Sequence, residues 1–217
     1  ADPEAVYDQI LEIDLSQLVP LAAMPHSPDN VAPVGEIGPI VIHQVAIGSC
    51  TNSSYTDLMK VAEILKGKKV HPDVSLVISP GSSRILAKLA ENGALAQMIN
   101  AGARVIECAC GPCIGMGQSP RSGGVSLRTF NRNFKGRSGT ADADVYLVSP
   151  ETAAISAITG VLTDGRKAGF DLPKVEDTIF EKNDNYMVYP VGCNKENTPL
   201  DMGPNIKPFP LNEPMSD

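Results

Sequence analysis

The chemistry open to this chain is carried by three cysteines in two clusters rich in small residues. Cys50 sits in Gly48-Ser49-Cys50-Thr51-Asn52, and Cys110 and Cys113 sit in Cys110-Gly111-Pro112-Cys113-Ile114-Gly115. A C-x-x-C pair alone reads as a redox dithiol or half of a zinc site; a third thiol in similar punctuation reads as a shared metal centre. An iron–sulfur cube held by four cysteines is closed and suits electron transfer. Held by three, it keeps one iron open to water or substrate and acts as a Lewis acid.

Two other readings stay open on spacing. Cys-Gly-Pro-Cys is also the dithiol of thioredoxin-like proteins, but no tryptophan precedes it here and Cys50 is then left without a role. A structural zinc wants four ligands, and His26, His43 and His71 are all remote in sequence from the cysteines. Cys108 and Cys193 read as spare, buried or inert thiols, Cys108 alternating with Cys110 along a strand and so facing away from it. A second feature is the stretch from Arg121 to Ala141, which holds Arg121, Arg128, Arg132, Lys135 and Arg137 and no acidic residue. Clustered cations usually mean a solvated loop or a phosphate patch. Asn131-Arg132-Asn133-Phe134-Lys135-Gly136-Arg137, however, mixes amides with arginines around a glycine, which suits bidentate capture of carboxylates. A metal centre plus two arginines describes a site for a polycarboxylate.

The elements that must position these residues alternate. Strands are expected at 40–47, 74–79, 103–108 and 145–148, and helices at 56–66, 84–91, 95–100 and 152–162, the first stopped by Gly67. Such alternation implies an α/β fold, three-layer αβα with a mainly parallel sheet. Both cysteine clusters then fall at the carboxyl ends of parallel strands, where ligand sites in open α/β sheets gather. Residues 1–38, with a helical or extended stretch at 5–18 and then many prolines, are expected to be an approach segment lying on the core. The cluster-bearing domain is expected over 39–167, with an irregular extension over 168–202. The four prolines from Gly203 to Asp217 suggest the start of a linker.

With 217 residues, 42% hydrophobic and 20% charged, the chain has the composition of a globular protein. No run approaches the roughly 20 apolar residues of a membrane span. A net charge of −7 argues against nucleic acid and anionic membranes as partners. Five cysteines, an odd number without a dense framework, point to a reducing compartment, the cytoplasm or, in a eukaryote, the mitochondrial matrix.

At four segments the chain closely resembles the aconitase family of iron–sulfur hydro-lyases, in the third of that family's four domains. These are IGSCTNSSYTDL at Ile47 to Leu58, CGPCIGMGQ at Cys110 to Gln118, FNRNFKGRSG at Phe130 to Gly139 and VSPETAAISAITG at Val148 to Gly160. The resemblance implies a 4Fe-4S cluster on Cys50, Cys110 and Cys113, with the fourth iron free for the substrate's hydroxyl and a carboxylate. It implies Asn131 beside the cluster, Arg132 and Arg137 on substrate carboxylates, and citrate–isocitrate interconversion through cis-aconitate. Sister enzymes acting on isopropylmalate and homocitrate share the cysteines and the Asn-Arg-Asn-Phe pattern; the Gly-Pro-Cys-Ile-Gly form leans toward aconitase, although substrate choice in the family depends mainly on contacts outside this segment. The family's serine base and its acidic and histidine partners belong to other domains and have no motif here. The resemblance therefore implies that this polypeptide alone is inactive and that the remaining domains are its partners.

Overall fold

The structure, a computed structural model, describes residues 2–180 together with Asn185, Met187, Gly203, Pro204 and Lys207. Residues Ala1–Phe180 pack as one unit and Glu181–Asp217 as another. Cys193 and most of the expected extension and linker lie outside the described residues.

The first unit is α/β, as expected. Its strands are β1 (Leu21–Ala23), β2 (Val31–Pro33), β3 (Gln44–Gly48), β4 (Ser75–Ser79), β5 (Arg104–Val105), β6 (Val125–Arg128) and β7 (Asp144–Leu147). Its helices are α1 (Tyr55–Leu65), α2 (Ser83–Glu91), α3 (Ala94–Ala101) and α4 (Pro150–Thr159). The sheet runs β2-β1-β7-β6-β3-β4-β5; β7 to β5 are parallel, and the β1–β2 hairpin joins β7 antiparallel. Part of the segment expected to lie on the core thus enters the sheet. The 5–18 stretch is irregular apart from one 3-10 turn, Leu15–Gln17, capped by Asp14.

Local chemistry explains the helix boundaries. Ser54 and Asp57 form a reciprocal capping box at the start of α1, while Ser82 and Ser149 cap α2 and α4. Strand side chains alternate between faces. Val45 and Ile47 of β3, with Leu76 and Ile78 of β4 and Leu127 of β6, point into one core shared with Leu58, Val61 and Leu65 of α1, Met98 of α3 and Ile155 of α4. Ala46 and Val77 point the other way and are covered by Cys113 and Phe130. The third layer at this point is therefore the cysteine loop itself, which packs a thiol directly onto the sheet.

Candidate metal centre

Cys50 lies just past β3, in a turn that the sheet grips from both sides. The Gly48 amide donates to the Thr129 hydroxyl (2.9 Å) and the Ser49 amide to the Ser79 carbonyl (2.8 Å). Asn52 Nδ2 donates to the Thr129 carbonyl at 2.6 Å, and the Ser53 hydroxyl donates to the Ser49 carbonyl. Gly48 has a φ of +119°, and a Cβ there would overlap the Ser79 carbonyl oxygen. Glycine is required for this approach of β3 to β4.

The second cluster is anchored by the same strand end. Ser79 Oγ donates to the Glu107 carbonyl at 2.9 Å, which fixes the chain as it leaves β5 toward Cys110. Residues Gly111–Ile114 form a 3-10 turn with Cys110 as its N-cap and Pro112 in its first turn, closed by Gly115 with φ +88°. A Cβ at Gly115 would overlap the Ser138 carbonyl, so the cysteine loop is packed against the loop that carries the arginines.

Cys50 and Cys110 are exposed free thiols and Cys113 is buried. The Ser49 hydroxyl stands among them. It lies 2.9 Å from Cys113 Sγ and accepts the Cys50 amide. The Thr51 hydroxyl, then that of Ser49, holds the Cys50 thiol below the usual thiol range. The neighbouring Cys50 charge, and then that of Cys113, pushes the Cys110 thiol up. A thiol raised by the charge of two others shows that the three stand near one another.

Cys108 departs from expectation. Strand β5 ends at Val105, so Cys108 and Cys110 do not alternate on a strand; Cys108 is exposed, and burial of the thiol followed by the Glu107 charge raises its pKa. Asn131 and Arg132 are exposed in the loop after β6, with Arg132 Nη1 donating to Asn131 Oδ1 at 3.4 Å. The Arg137 guanidinium stacks over the Phe134 ring at 5.7 Å, which restrains its plane. Asn133, between them, is fully buried and its Nδ2 bonds the carbonyls of Met24 (2.9 Å) and Val145 (3.1 Å), tying this loop to the sheet and the hairpin.

Sequence reasoning passed over Ser49, Ser79, Thr129 and Arg128. The last was counted among loop cations, yet it is fully buried, and burial lowers its pKa to about 10 while the nearby Cys113 charge opposes that shift. Alternation of Val125 and Leu127 with Ser126 and Arg128 was the available signal that this segment is a strand.

A family model described as the aconitase family (aconitate hydratase) matches residues 1–160. The chain belongs to the aconitase family. Among curated members it is 47% identical over 166 residues to a protein of Methanopyrus kandleri named 3-isopropylmalate dehydratase large subunit 1, an alignment covering 76% of this chain and 40% of that protein. It is 48% identical over 162 residues to the 3-isopropylmalate dehydratase large subunit of Moorella thermoacetica (74% and 38% covered). Against large subunit 2 from Archaeoglobus fulgidus it is 42% identical over 168 residues (77% and 40% covered). The chain thus spans 38–40% of the length of these three aconitase-family relatives.

The donor set decides what kind of metal fits. Among the described residues no group of three or more His, Cys, Asp or Glu side chains is gathered to hold a single metal ion, and no helix is long and apolar enough to cross a membrane. Three soft thiols at the carboxyl ends of parallel strands, with no imidazole or carboxylate among them, fit an iron–sulfur cluster, whose ligands stand at separate corners of a cube.

Proposed function

We propose that this chain is the cluster-bearing part of a hydro-lyase that removes and returns water on a 2-hydroxy acid with neighbouring carboxylates. Cys50, Cys110 and Cys113 would hold a 4Fe-4S cluster. When bound, the cluster supplies an iron without a protein ligand, a Lewis acid for the departing hydroxyl. The observation that carries the reading is the convergence of three thiols around the Ser49 hydroxyl, beside a loop whose arginines are otherwise free of carboxylate partners among the described residues.

The chain's own residues bind and orient. Arg132 and Arg137 would offer planar guanidinium forks to two carboxylates and so orient the acid. Stacking on Phe134 limits the orientations of Arg137 before substrate arrives, so less freedom is lost on binding. Asn131 would stand beside the cluster, its Oδ1 accepting from Arg132 Nη1. The reading assigns no proton-transferring base to the described residues; that group is expected from the portion of the relatives' length this chain does not cover.

On substrate, the names of the relatives favour 3-isopropylmalate over the citrate that the motifs imply. Citrate remains a second reading, favoured by the description of the family model. The test is anaerobic loading of the chain with iron and sulfide, followed by titration of the reduced cluster's paramagnetic resonance spectrum with each acid. Perturbation by a polycarboxylate that is lost in Arg132→Ala and Arg137→Ala is the expected result, and no perturbation by either acid would remove the assignment of these arginines. The choice between 3-isopropylmalate and citrate is read from turnover of each acid by the longer protein, a preference for citrate moving the assignment to the second reading.

A further inference from the structure

Arg128 heads the fully buried side chains by volume, and the chemistry proposed above does not use it. Its guanidinium donates to four acceptors: Ser126 Oγ (3.2 Å), Gln44 Oε1 (2.9 Å), the Gln118 carbonyl (2.7 Å) and the Pro112 carbonyl. It also lies 5.4 Å from the Phe130 ring centroid. Every acceptor is neutral, and among the described residues no carboxylate forms an ion pair with it. Burying a cation in this way is costly unless an anion is nearby.

The placement of the acceptors says what the cation does. Ser126 and Gln44 belong to adjacent strands β6 and β3, paired in register. Pro112 directly precedes Cys113, and Gln118 closes the same loop. The guanidinium therefore joins both sides of the Cys113 loop to the sheet, on the face where Cys113 itself packs with Ala46, Val77 and Phe130. The one anionic neighbour that acts on the guanidinium among the described residues is the Cys113 thiolate, and a cluster held by three thiolates would be negatively charged there.

We propose that Arg128 is the positioning residue of this centre: it staples the Cys113 loop to the sheet and supplies the buried counter-charge for the three-thiolate cluster. The counter-charge half rests on the proposed function; the staple half does not. Arg128→Gln keeps neutral donors and Arg128→Lys keeps the charge, with a thermal melt of each as the control for folding. In the metal-free chain, amide exchange across 111–118 should quicken about tenfold or more relative to β4 in Arg128→Gln, as expected for losing bonds to a charged donor. Unchanged exchange there would overturn the staple.

In the loaded chain, removing the positive charge should drive the cluster's midpoint potential more negative, and Arg128→Lys should restore most of the shift. A potential in Arg128→Gln equal to that of the parent chain would overturn the counter-charge. Wild-type chain that takes up no cluster would overturn the proposed function and the counter-charge together, leaving the exchange result to decide the staple. Should Arg128→Gln fail to fold, Gln44→Leu, which removes one acceptor and keeps the cation, carries the exchange measurement with a smaller expected change in the same direction, and Arg128→Met, which replaces the buried cation by an apolar side chain of similar length, carries the potential measurement with the same expected negative shift.

Discussion

Replacing Gly48 by alanine tests whether the close approach of β3 to β4 is what sets Cys50 in place. The added Cβ would overlap the Ser79 carbonyl oxygen and stand 2.8 Å from its carbon and 3.2 Å from Ser79 N, all backbone atoms of the last paired residues of β3 and β4. The two strands must part there, and the Ser49 amide loses its 2.8 Å bond to Ser79. Holding an L-residue at φ +119° costs about 1–2 kcal/mol, and loss of a buried backbone bond about 1–2 kcal/mol more. The sum, roughly 3 kcal/mol, is a large share of the stability of a typical domain. With a urea slope of about 2 kcal/mol/M, the unfolding midpoint should fall by roughly 1.5 M. Gly67→Ala is the matched control: its φ is +67° and no atom lies within 4 Å of the new Cβ, so it carries backbone strain alone and should shift by about 0.5–1 M. Equal shifts in the two variants would refute the argument that contact with Ser79, and not the sign of φ, makes glycine necessary at position 48.

Asn133→Ala removes the two N–H donors that the carbonyls of Ala23, Met24 and Val145 share, and should lower the melting temperature by several degrees, consistent with roughly 2 kcal/mol. A melting temperature within one degree or so of the parent's would show that the arginine loop does not depend on this anchor. Hydrogen bonds from Arg166 hold the Asp164 carboxyl below its ordinary range. Its contribution is therefore complete above the unfolded-state value near 4 and is lost as pH falls through the lower folded value. Asp164→Asn should destabilise at pH 7 while matching the parent near pH 2; a constant gap at both pH values would contradict the assignment. In the metal-free chain, iodoacetamide at pH 8 should modify Cys50 before Cys110 and Cys113 last, following thiolate character and burial. Peptide mapping that finds Cys113 modified first would contradict the burial.

The helices were legible because their apolar spacing and serine caps coincide, as in α1, where Ser54 and Asp57 announce a start and Gly67 follows the end. The strands after β3 were legible less completely. Ala103 to Cys108 has the composition of a strand, but only Arg104–Val105 pair, because Ser79 captures the Glu107 carbonyl and turns the chain toward Cys110. The β1–β2 hairpin escaped notice because three-residue strands beside prolines carry no usable period. Strand β6 was hidden by its own arginine: charge argued for solvent, whereas Ser126, Gln44 and two carbonyls make Arg128 a buried residue. At the site, spacing identified the three thiols, but it could not say that Cys113 is the one packed on the sheet. That depends on which face of β3 carries Ala46, whose small side chain leaves room for the loop.

The most direct test of the central claim is anaerobic reconstitution of the chain with ferrous iron and sulfide, measuring bound iron and acid-labile sulfide per chain for the parent and for Cys50→Ser, Cys110→Ser and Cys113→Ser. The account predicts about four irons and about four sulfides in the parent, as a cubane requires, and failure to assemble a stable cube in each of the three variants. Full loading of any one of these variants, or a parent that takes up a single zinc and no sulfide, would contradict it.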